Sequence, residues 1–458
     1  MELYSENENY KLYHGDMLDM LEKIEPNSID SIVTDPPYEL NFMGKGWDNS
    51  GIAFQSDTWK KCYDVLKPGG YLLAFGGSRT FHRIAYAIED AGFEIRDTIM
   101  WLYGSGFPKS MDVGKAIDKK NGVQPIGRKE PTGGITGGKN TGAEEKGWHS
   151  INNWFEYPEC QNEWKGWGTT LKPSFEPIIV ARKPFKGSLV DNVIEYGVGG
   201  INIDECRVGN TSADNYDLEK RQISKATGSD DDGHFLDQLH NQDAKHGVTD
   251  LGRFPANTIL TYDETDFDEV CGGFPKSKGK GHFPKNNKNG SSMFNTNNLE
   301  QEEKYLSDSG SASRYFYCAK ASKKDRDEGL DEFKEINGGS YQFRQDGSLD
   351  GKIPVRKNTH PTVKPTELMQ YLVRLVSPNG ATILDPFNGS GSTGKAVMYE
   401  NKERNKNYKY IGIELTEEYL PIAKARIEYA MGVELNKEKI QEKAKEEGQT
   451  TIFDFIGE

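Results

Sequence analysis

The chain has 458 residues, of which 35 % are hydrophobic and 28 % charged, and its formal net charge is −14. Its length accommodates about two or three domain-sized units or one large domain with an insertion. We expect a cytoplasmic protein, because no apolar run approaches the roughly 20 residues that cross a bilayer and the acidic N-terminus is unlike a signal peptide. The acidic balance disfavours nucleic-acid binding except at local basic patches, and five cysteines without CxxC or metal-ligand spacing predict reduced thiols and no metal.

Residues 1–103 alternate between strand and helix patterns, which predicts a mostly parallel, doubly wound α/β sheet. Apolar and β-branched runs mark the strands, and apolar residues at helical spacing mark the helices. A turn is expected at Lys67-Pro68-Gly69-Gly70. The predicted strands are Tyr10–Asp16, Ile29–Val33, Tyr71–Phe75 and Phe93–Leu102, and the predicted helices are Met17–Ile24 and Thr80–Ala91.

The run Thr34-Asp35-Pro36-Pro37-Tyr38 directly follows the second of these strands. Its prolines fix the backbone and donate no hydrogen bonds, so nearby carbonyls are held pointing outward. Asp35 adds a carboxylate acceptor, and Tyr38 adds a flat face on which a planar ring can stack. Acceptors beside an aromatic plane suit an NH2 group on a heteroaromatic base. The alternative is a strand that ends in a proline turn, with Tyr38 in the core.

Residues 104–172 break this rhythm and are predicted to form a flexible loop insertion. A glycine-rich run at 133–142 and three tryptophans, Trp154, Trp164 and Trp167, lie in polar surroundings. Strand character returns in residues 173–184, where Phe175–Ala181 is a predicted core strand.

Residues 185–350 form a second irregular block, rich in Gly, Asn, Ser and Lys. Two stretches interleave basic residues with aromatic ones, as nucleic-acid surfaces do. The alternative is a solvated, lysine-rich loop. The candidate DNA-binding residues are Lys276, Lys278, Lys280, Lys285, Lys288, Arg314, Lys320, Lys323 and Lys324.

Residues 351–432 again show regular strand and helix patterns, and these patterns predict a nucleoside site. The helix Thr366–Val376 precedes the strand Ala381–Leu384, the glycine turn Asp385–Gly394, a further helix and the strand Tyr410–Glu414. A strand, glycine turn, helix, strand and acid in this order indicate a Rossmann-like site, in which the acid binds ribose hydroxyls. Glycines let the backbone approach a ligand closely. The alternative places Glu414 on the surface without a ligand.

Three motifs together resemble the β class of S-adenosylmethionine-dependent exocyclic-amine DNA methyltransferases. Their order is that of the β class, with the catalytic motif first, a recognition insert between, and the cofactor turn last. The similarity covers roughly residues 8–103, 171–184 and 355–430, and the insert, with Arg253–Asn257 and Tyr315–Lys320, resembles that of phage and prophage methylases. The motifs are Asp35-Pro36-Pro37-Tyr38, His360-Pro361-Thr362-Val363-Lys364-Pro365 and Asp385-Pro386-Phe387-Asn388-Gly389-Ser390-Gly391.

The resemblance implies a methyltransferase fold in circularly permuted order, with residues 185–350 as the target-recognition insertion. Asp35 and the Pro36 carbonyl are implied to accept hydrogens from the amine of a flipped base, and Tyr38 to stack on that base. Pro37 completes this catalytic motif. His360 is expected to position its proline turn rather than to act in catalysis.

The resemblance also implies a cofactor site for S-adenosylmethionine. Asp16 and Met17 would contact its adenine, Glu414 its ribose, and Thr362 and Lys364 its carboxylate. Asp16 has an alternative role as a helix N-cap. The amino-acid half of the cofactor is assigned to Asp385, Pro386, Phe387, Asn388, Gly389, Ser390 and Gly391.

The implied activity is methylation of adenine N6 in double-stranded DNA, as in restriction–modification. Asp at the first position of the catalytic motif goes mainly with adenine in this family, and cytosine-N4 is the runner-up. A non-catalytic DNA-binding protein with a vestigial cofactor fold would be expected to lose Asp35 or the glycines, and both are present. Dimers are frequent in the family, which leaves a homodimer open.

Residues 433–458 are predicted to hold a charged helix, Leu435–Glu447, and a C-terminal tail. The stretch Gln449–Phe455 resembles the Gln-x-x-aliphatic-Phe peptide with which bacterial DNA enzymes dock on the sliding clamp. Such a peptide needs only a few apolar anchors that fill a pocket. The alternative is a tail that folds back and buries Phe453 and Phe455 on the sheet.

Overall fold

A computed structural model describes the parts of the chain that form the sheet, its helices and the adjoining loops. Within these parts no helix is long and apolar enough to cross a membrane. The tail at 433–458, with the clamp-like stretch, lies outside them. The described residues are 2–40, 49–103, 110–124, 126–128, 155–156, 158–160, 162–208, 253–262, 276–278, 309–311, 316–320, 323–337 and 355–432.

The described residues form sixteen strands and nine α-helices. The strands are β1 (Glu2–Glu6), β2 (Tyr10–His14), β3 (Ile29–Thr34), β4 (Leu66–Phe75), β5 (Glu94–Tyr103), β6 (Gly127–Arg128), β7 (Phe155–Glu156), β8 (Phe175–Arg182), β9 (Thr258–Tyr262), β10 (Lys276–Lys278), β11 (Ser309–Ser311), β12 (Tyr317–Lys320), β13 (Ile336–Asn337), β14 (Val355–Arg356), β15 (Thr382–Asp385) and β16 (Lys409–Glu414). The α-helices are α1 (Met17–Leu21), α2 (Ser56–Val65), α3 (Phe81–Asp90), α4 (Val113–Lys120), α5 (Leu189–Tyr196), α6 (Lys323–Asp327), α7 (Thr366–Val376), α8 (Ser392–Arg404) and α9 (Leu420–Met431).

Ten of these strands form one twisted sheet in the order β1-β2-β16-β15-β3-β4-β8-β5-β9-β12. In this order, neighbouring strands pair in parallel along β2-β16-β15-β3-β4 and along β5-β9-β12. The antiparallel pairs are β1 with β2 and β8 with both β4 and β5. The prediction of a mostly parallel sheet is therefore confirmed, with β8 as a reversed strand inside it.

Helices cover both faces of this sheet. On one face α7, α8 and α9 pack over a core that includes Val397 and Ile427. On the other face α1, α2 and α3 pack over a second core that includes Trp59 and Ile88. Each fully buried side chain of this size contributes roughly 1.5–3 kcal/mol to folding. The doubly wound, Rossmann-like arrangement predicted from the sequence is confirmed.

The turn predicted at Lys67–Gly70 lies inside β4 as a bulge. Ile29 of β3 faces Leu66 of β4, but Ser31, only two residues further along β3, faces Tyr71. The extra residues of β4 are not paired with β3. They include Gly69, whose φ of +82° is a conformation that residues with side chains disfavour. The predicted glycine signal is correct, and the structure shows that it bends a strand rather than separating two elements.

Two strands from the irregular block at 185–350 extend the main sheet. β9 pairs in parallel with β5, and β12 pairs in parallel with β9. The sequence did not reveal these strands, because stretches of five and four residues are too short for a clear periodic pattern.

Residues 323–337, the brace segment, tie helix α8 to the chain before α7. Lys395 of α8 is fully buried, and its Nζ lies 2.6 Å from Asp325 Oδ1 and 2.8 Å from Glu328 Oε2. Asp325 also accepts a hydrogen bond of 2.7 Å from the backbone N–H of Thr366, which opens α7. Arg326 donates to the carbonyl of His360. The brace segment therefore fixes the loop that leads into α7.

We predict that Lys395→Met lowers the free energy of unfolding by about 3 kcal/mol, because it leaves two partly buried carboxylates without their cation. Urea unfolding monitored by circular dichroism measures the change. The control is Lys60→Met, whose partner Asp64 is half exposed, and which should change stability little. Equal unfolding midpoints for the two variants would contradict the assignment of Lys395 as an anchor.

Candidate active site

A cavity of about 1050 Å³ opens at the edge of the sheet where β2, β3, β15 and β16 end. Ligands of open α/β sheets bind in this position, outside the carboxyl ends of the strands. Because β8 runs in the opposite direction, its first residues, Phe175 and Glu176, reach the same edge. With the exception of Gly391, all predicted catalytic and cofactor residues line this cavity.

The carboxylate of Asp385, at the end of β15, organises the glycine turn. Its Oδ1 accepts hydrogen bonds from Thr34 Oγ1 at 2.7 Å and from the Phe387 N–H at 3.1 Å. Its Oδ2 accepts from Thr393 Oγ1 at 2.7 Å. Burial raises the pKa of Asp385 from 3.8 to about 6, although the two threonine hydroxyls and the Phe387 N–H oppose the shift. This acid therefore joins strand β3, which precedes the predicted catalytic motif, to the turn.

Glycines allow the turn to lie close to its neighbours. Gly391 has φ of +73°, and a Cβ there would lie 2.9 Å from the Cα of Ala423. A Cβ at Gly394 would lie 2.6 Å from side-chain atoms of both Ile427 and Tyr410. Gly391 thus lies on the side of the turn that faces α9, away from the cavity, and the lack of a side chain lets the turn pack closely against that helix.

Glu414, at the end of β16, lies beside the turn. Its Oε2 accepts the N–H of Gly389 at 2.7 Å, and its Oε1 accepts the N–H of Thr416 at 2.8 Å. The side chain is 8 % exposed and lines the cavity, which is inconsistent with a surface acid. Each carboxylate oxygen keeps a lone pair for a further donor.

Asp16 and Met17 form the wall next to Glu414. Asp16 is the N-cap of α1, since its Oδ1 accepts the N–H of Leu18 at 2.8 Å, and it also lines the cavity. Both roles considered for Asp16 are therefore compatible. Helix α1 ends at Leu21, and the chain continues to Ile24 as a turn with a bond from the Ile24 N–H to the Leu21 carbonyl.

Asp35, Lys364, Glu176 and Tyr38 form a partly buried cluster, the amine-side cluster, on the opposite wall. Lys364 Nζ lies 2.6 Å from Asp35 Oδ2 and 3.5 Å from Glu176 Oε2. The Tyr38 hydroxyl donates to Glu176 Oε2 at 2.7 Å. Asp35 Oδ1 is buried and has no hydrogen-bond partner among the described residues. The Lys364 ammonium thus lies against Asp35, the predicted catalytic acid, whereas a contact with the cofactor carboxylate stays a prediction.

The electrostatics of this cluster follow from two acids around one cation. Burial raises the pKa of Asp35, and the charge of Lys364 opposes this rise without cancelling it. Burial would lower the pKa of Lys364, but Asp35 and Glu176 outweigh it and the net shift is upward. Lys364 therefore stays cationic, and the fully ionised cluster carries one excess negative charge.

His360 holds the loop that delivers Thr362 and Lys364. Its Nδ1 lies 2.8 Å from the Thr362 carbonyl, which can only accept, so the proton is on Nδ1. Burial lowers the pKa of His360 to about 3. Its ring packs edge-on against Tyr419 at 4.6 Å between centroids. A neutral, hydrogen-bonded ring fits the expected positioning role.

Glu176 was not predicted as a functional residue. In the sequence it is only an acid near the start of an otherwise apolar strand. That strand, β8, reaches the cavity because it pairs with β4 and β5, which lie far from it in the sequence. Arg79 and Lys172, two further cations that line the cavity, were also missed.

The described part of the predicted DNA-binding set lies on strands and at one helix start. Lys276 and Lys278 belong to β10, which pairs with β11. Lys320 ends β12 at the edge of the main sheet, and Lys323 and Lys324 open α6. Lys280, Lys285, Lys288 and Arg314 lie outside the described residues.

Comparison with known proteins identifies related sequences. The model of the N6/N4 DNA methylase family matches residues 29–425. The chain is 33 % identical over 118 residues to the Type II methyltransferase M2.LlaDCHI of Lactococcus lactis, which covers 21 % of this chain and 43 % of that protein. It is 22 % identical over 235 residues to M.HindIII of Haemophilus influenzae, covering 42 % and 64 %. The chain therefore spans less than two thirds of the length of either relative.

Solved structures show a distant likeness. The PvuII DNA methyltransferase, described as cytosine-N4-specific, has a TM-score of 0.40 at 13 % identity, covering 96 % of this chain and 94 % of that one. A complex of M1.HpyAVI with SAM has a TM-score of 0.33 at 14 % identity, covering 91 % and 99 %.

The raised pKa of Asp385 predicts a pH-dependent stability. Between pH 4 and 6 the unfolded chain releases this proton and the folded chain retains it, so the wild type loses stability as the pH rises. Asp385→Asn lacks this loss. Between pH 4 and 7, we expect the unfolding free energy of the variant minus that of the wild type to increase by at most about 3 kcal/mol. Urea unfolding at several pH values measures it, and a constant difference would contradict the burial of an ionisable group here.

Proposed function

The chain belongs to the N6/N4 DNA methylase family, and we propose that it transfers a methyl group from S-adenosylmethionine to N6 of an adenine flipped out of double-stranded DNA. One observation carries the proposal. Asp35 Oδ1 is a buried acceptor without a partner among the described residues, and the residue Asp35 lines a cavity shared with the glycine turn and Glu414. A buried acceptor of this kind costs free energy unless a ligand donates to it.

The cavity wall formed by β15, β16 and α1 fits the cofactor. The glycine turn follows β15, Glu414 ends β16, and Asp16 opens α1, which is the geometry of a nucleoside site. The cavity of about 1050 Å³ is large enough for a nucleoside and a base together. When bound, S-adenosylmethionine supplies a methyl group on a positively charged sulfur, which departs with the electron pair of the broken bond.

The residues on the opposite wall act on the amine. Asp35 Oδ1 and the Pro36 carbonyl accept its two hydrogens, which reduces delocalisation of the nitrogen lone pair into the ring. Tyr38 offers its ring face to the base and is anchored through its hydroxyl on Glu176. Once the nitrogen has formed its bond to carbon, one amine proton passes to Asp35 and then to water. The rigid walls hold the two reactants in line.

Access to this cavity requires base flipping, because an amine inside a stacked duplex cannot reach it. Arg79 and Lys172 line the cavity and supply positive charge for the flanking phosphates. The recognition role of residues 185–350, a homodimer and a clamp contact through Gln449–Phe455 remain parts of the same proposal.

Single-molecule or nanopore sequencing of DNA from cells that express the protein tests the proposal. N6-methyladenine at one recurrent sequence is the expected result. N4-methylcytosine instead would assign the runner-up activity. DNA binding without any modified base would favour a non-catalytic protein with a vestigial cofactor fold.

We predict that Asp35→Ala abolishes methylation and leaves S-adenosylmethionine affinity within a few fold. The reason is that Asp35 faces the amine, whereas the turn from Asp385 to Gly391 holds the cofactor. Calorimetry and a methyl-transfer assay measure the two properties, with Asp64→Ala on the exposed face of α2 as control. Equal loss of binding and turnover would move Asp35 to the cofactor side.

Replacement of Lys276, Lys278, Lys280, Lys285 and Lys288 by Gln should weaken DNA binding. Each cation that contacts a phosphate releases counterions on binding, so the dependence of log affinity on log salt should become flatter. Binding titrations between about 50 and 200 mM salt measure the slope. A slope identical to that of the wild type would remove this stretch from the interface.

A further inference from the structure

Glu176 is the member of the amine-side cluster that a strand holds in place. It lies in β8, in register with Trp101 of β5, and the next residue accepts the backbone N–H of Gly76 at 2.9 Å through its carbonyl. Asp35 and Tyr38 lie on the loop after β3, and Lys364 lies on the loop before α7. A strand paired on both sides moves less than a loop, so Glu176 is the fixed point of the cluster.

The Lys364 ammonium is confined from several directions. It lies between the carboxylates of Asp35 and Glu176, at 2.6 and 3.5 Å, and its side chain is 7 % exposed. Its Nζ also lies 5.3 Å from the ring centroid of Tyr38 and 5.0 Å from that of Phe75, within the range of cation–π attraction. Without Glu176, one of the two anions that hold this cation is lost.

The two carboxylate oxygens of Asp35 must have different partners if the residue is to accept a hydrogen from the amine. Lys364 occupies Oδ2, and Oδ1 is left without a partner among the described residues. A cation free to move could bridge both oxygens and compete with the target amine. The contact between Lys364 and Glu176 draws the ammonium to one side of Asp35.

We propose that Glu176 is a positioning residue for methyl transfer: it holds the Lys364 ammonium and the Tyr38 hydroxyl so that neither pairs with Asp35 Oδ1, which is left to accept from the amine. This inference rests on the proposed function. It assigns a role to the reversed strand β8, which supplies no other member of the cluster. Glu176 acts through Asp35 and Tyr38 and does not itself contact the amine.

The charge of Glu176 gives the proposal a pH signature. Glu176 adds to the rise in the pKa of Asp35 that burial causes, because the two carboxylates repel each other around Lys364. Glu176→Gln removes that repulsion, so Asp35 ionises at lower pH. The acid limb of the kcat profile should therefore move to lower pH in this variant.

The experiment compares Glu176→Gln and Glu176→Ala with the wild-type full-length protein. We expect kcat to fall about 10-fold in Gln and about 100-fold in Ala, since small misplacements of reacting groups have effects of this size. The KM for DNA and the affinity for S-adenosylmethionine should stay within about threefold, because neither ligand is held by Glu176. The matched control is Glu94→Gln, which removes an exposed carboxylate that pairs with Arg182 at the other end of β8 and should leave kcat unchanged.

A double-mutant cycle separates positioning from general support of the fold. Tyr38→Phe removes the hydroxyl that Glu176 accepts and keeps the ring. Because Glu176 holds this hydroxyl, the loss in kcat from Glu176→Gln should be smaller in the Tyr38→Phe background than in the wild type. Additive losses would overturn the coupling.

The outcomes distinguish this inference from the proposed function. A wild-type protein that methylates no DNA would overturn the proposed function and this inference with it. An active wild type with an unchanged kcat and pH profile in Glu176→Gln, or a loss confined to KM, would overturn only the positioning role. The Gln variant keeps the side chain's shape and carries the test if the Ala variant does not fold.

Discussion

A buried hydrogen bond, 2.7 Å long, helps to join the two halves of the site. Thr34 ends the strand that precedes the catalytic motif, and Asp385 begins the glycine turn, 351 residues later in the chain. The same carboxylate holds the turn through Phe387 and Thr393. One buried side chain therefore links the end of β3 to the glycine turn inside the core rather than through surface loops.

Much of this site could be predicted from the sequence, because its motifs stand where parallel strands end. Asp35 and Asp385 each follow a short buried strand, and the sheet brings such ends to one edge. Lys364 illustrates the limit of this reasoning. Its motif suggested a cofactor contact, whereas the structure places its ammonium between Asp35 and Glu176. Which acid a long, flexible side chain meets depends on packing that no local pattern reports.

The parts that could not be predicted depend on long-range pairing. Glu176 reaches the cavity only because β8 runs opposite to its neighbours, and strand direction is not encoded in the eight residues of the strand. β9 and β12 were hidden for a related reason, since strands of five and four residues give no clear periodic pattern and are defined by their pairing with β5 and with each other. The brace segment shows the same dependence, because Lys395 became a buried cation through acids about 70 residues away.

The order of strands in the sheet has a consequence for synthesis of the protein. β15 and β16 lie between β2 and β3, so these interior strands are made after the strands on both sides of them. At a synthesis rate of about 5–20 residues per second, β3 waits roughly 20–70 s for its partner strand β15. During this interval the nascent chain exposes two open, apolar strand edges, which are templates for wrong pairing. Folding of this architecture therefore depends on how well those edges are shielded until the final strands emerge.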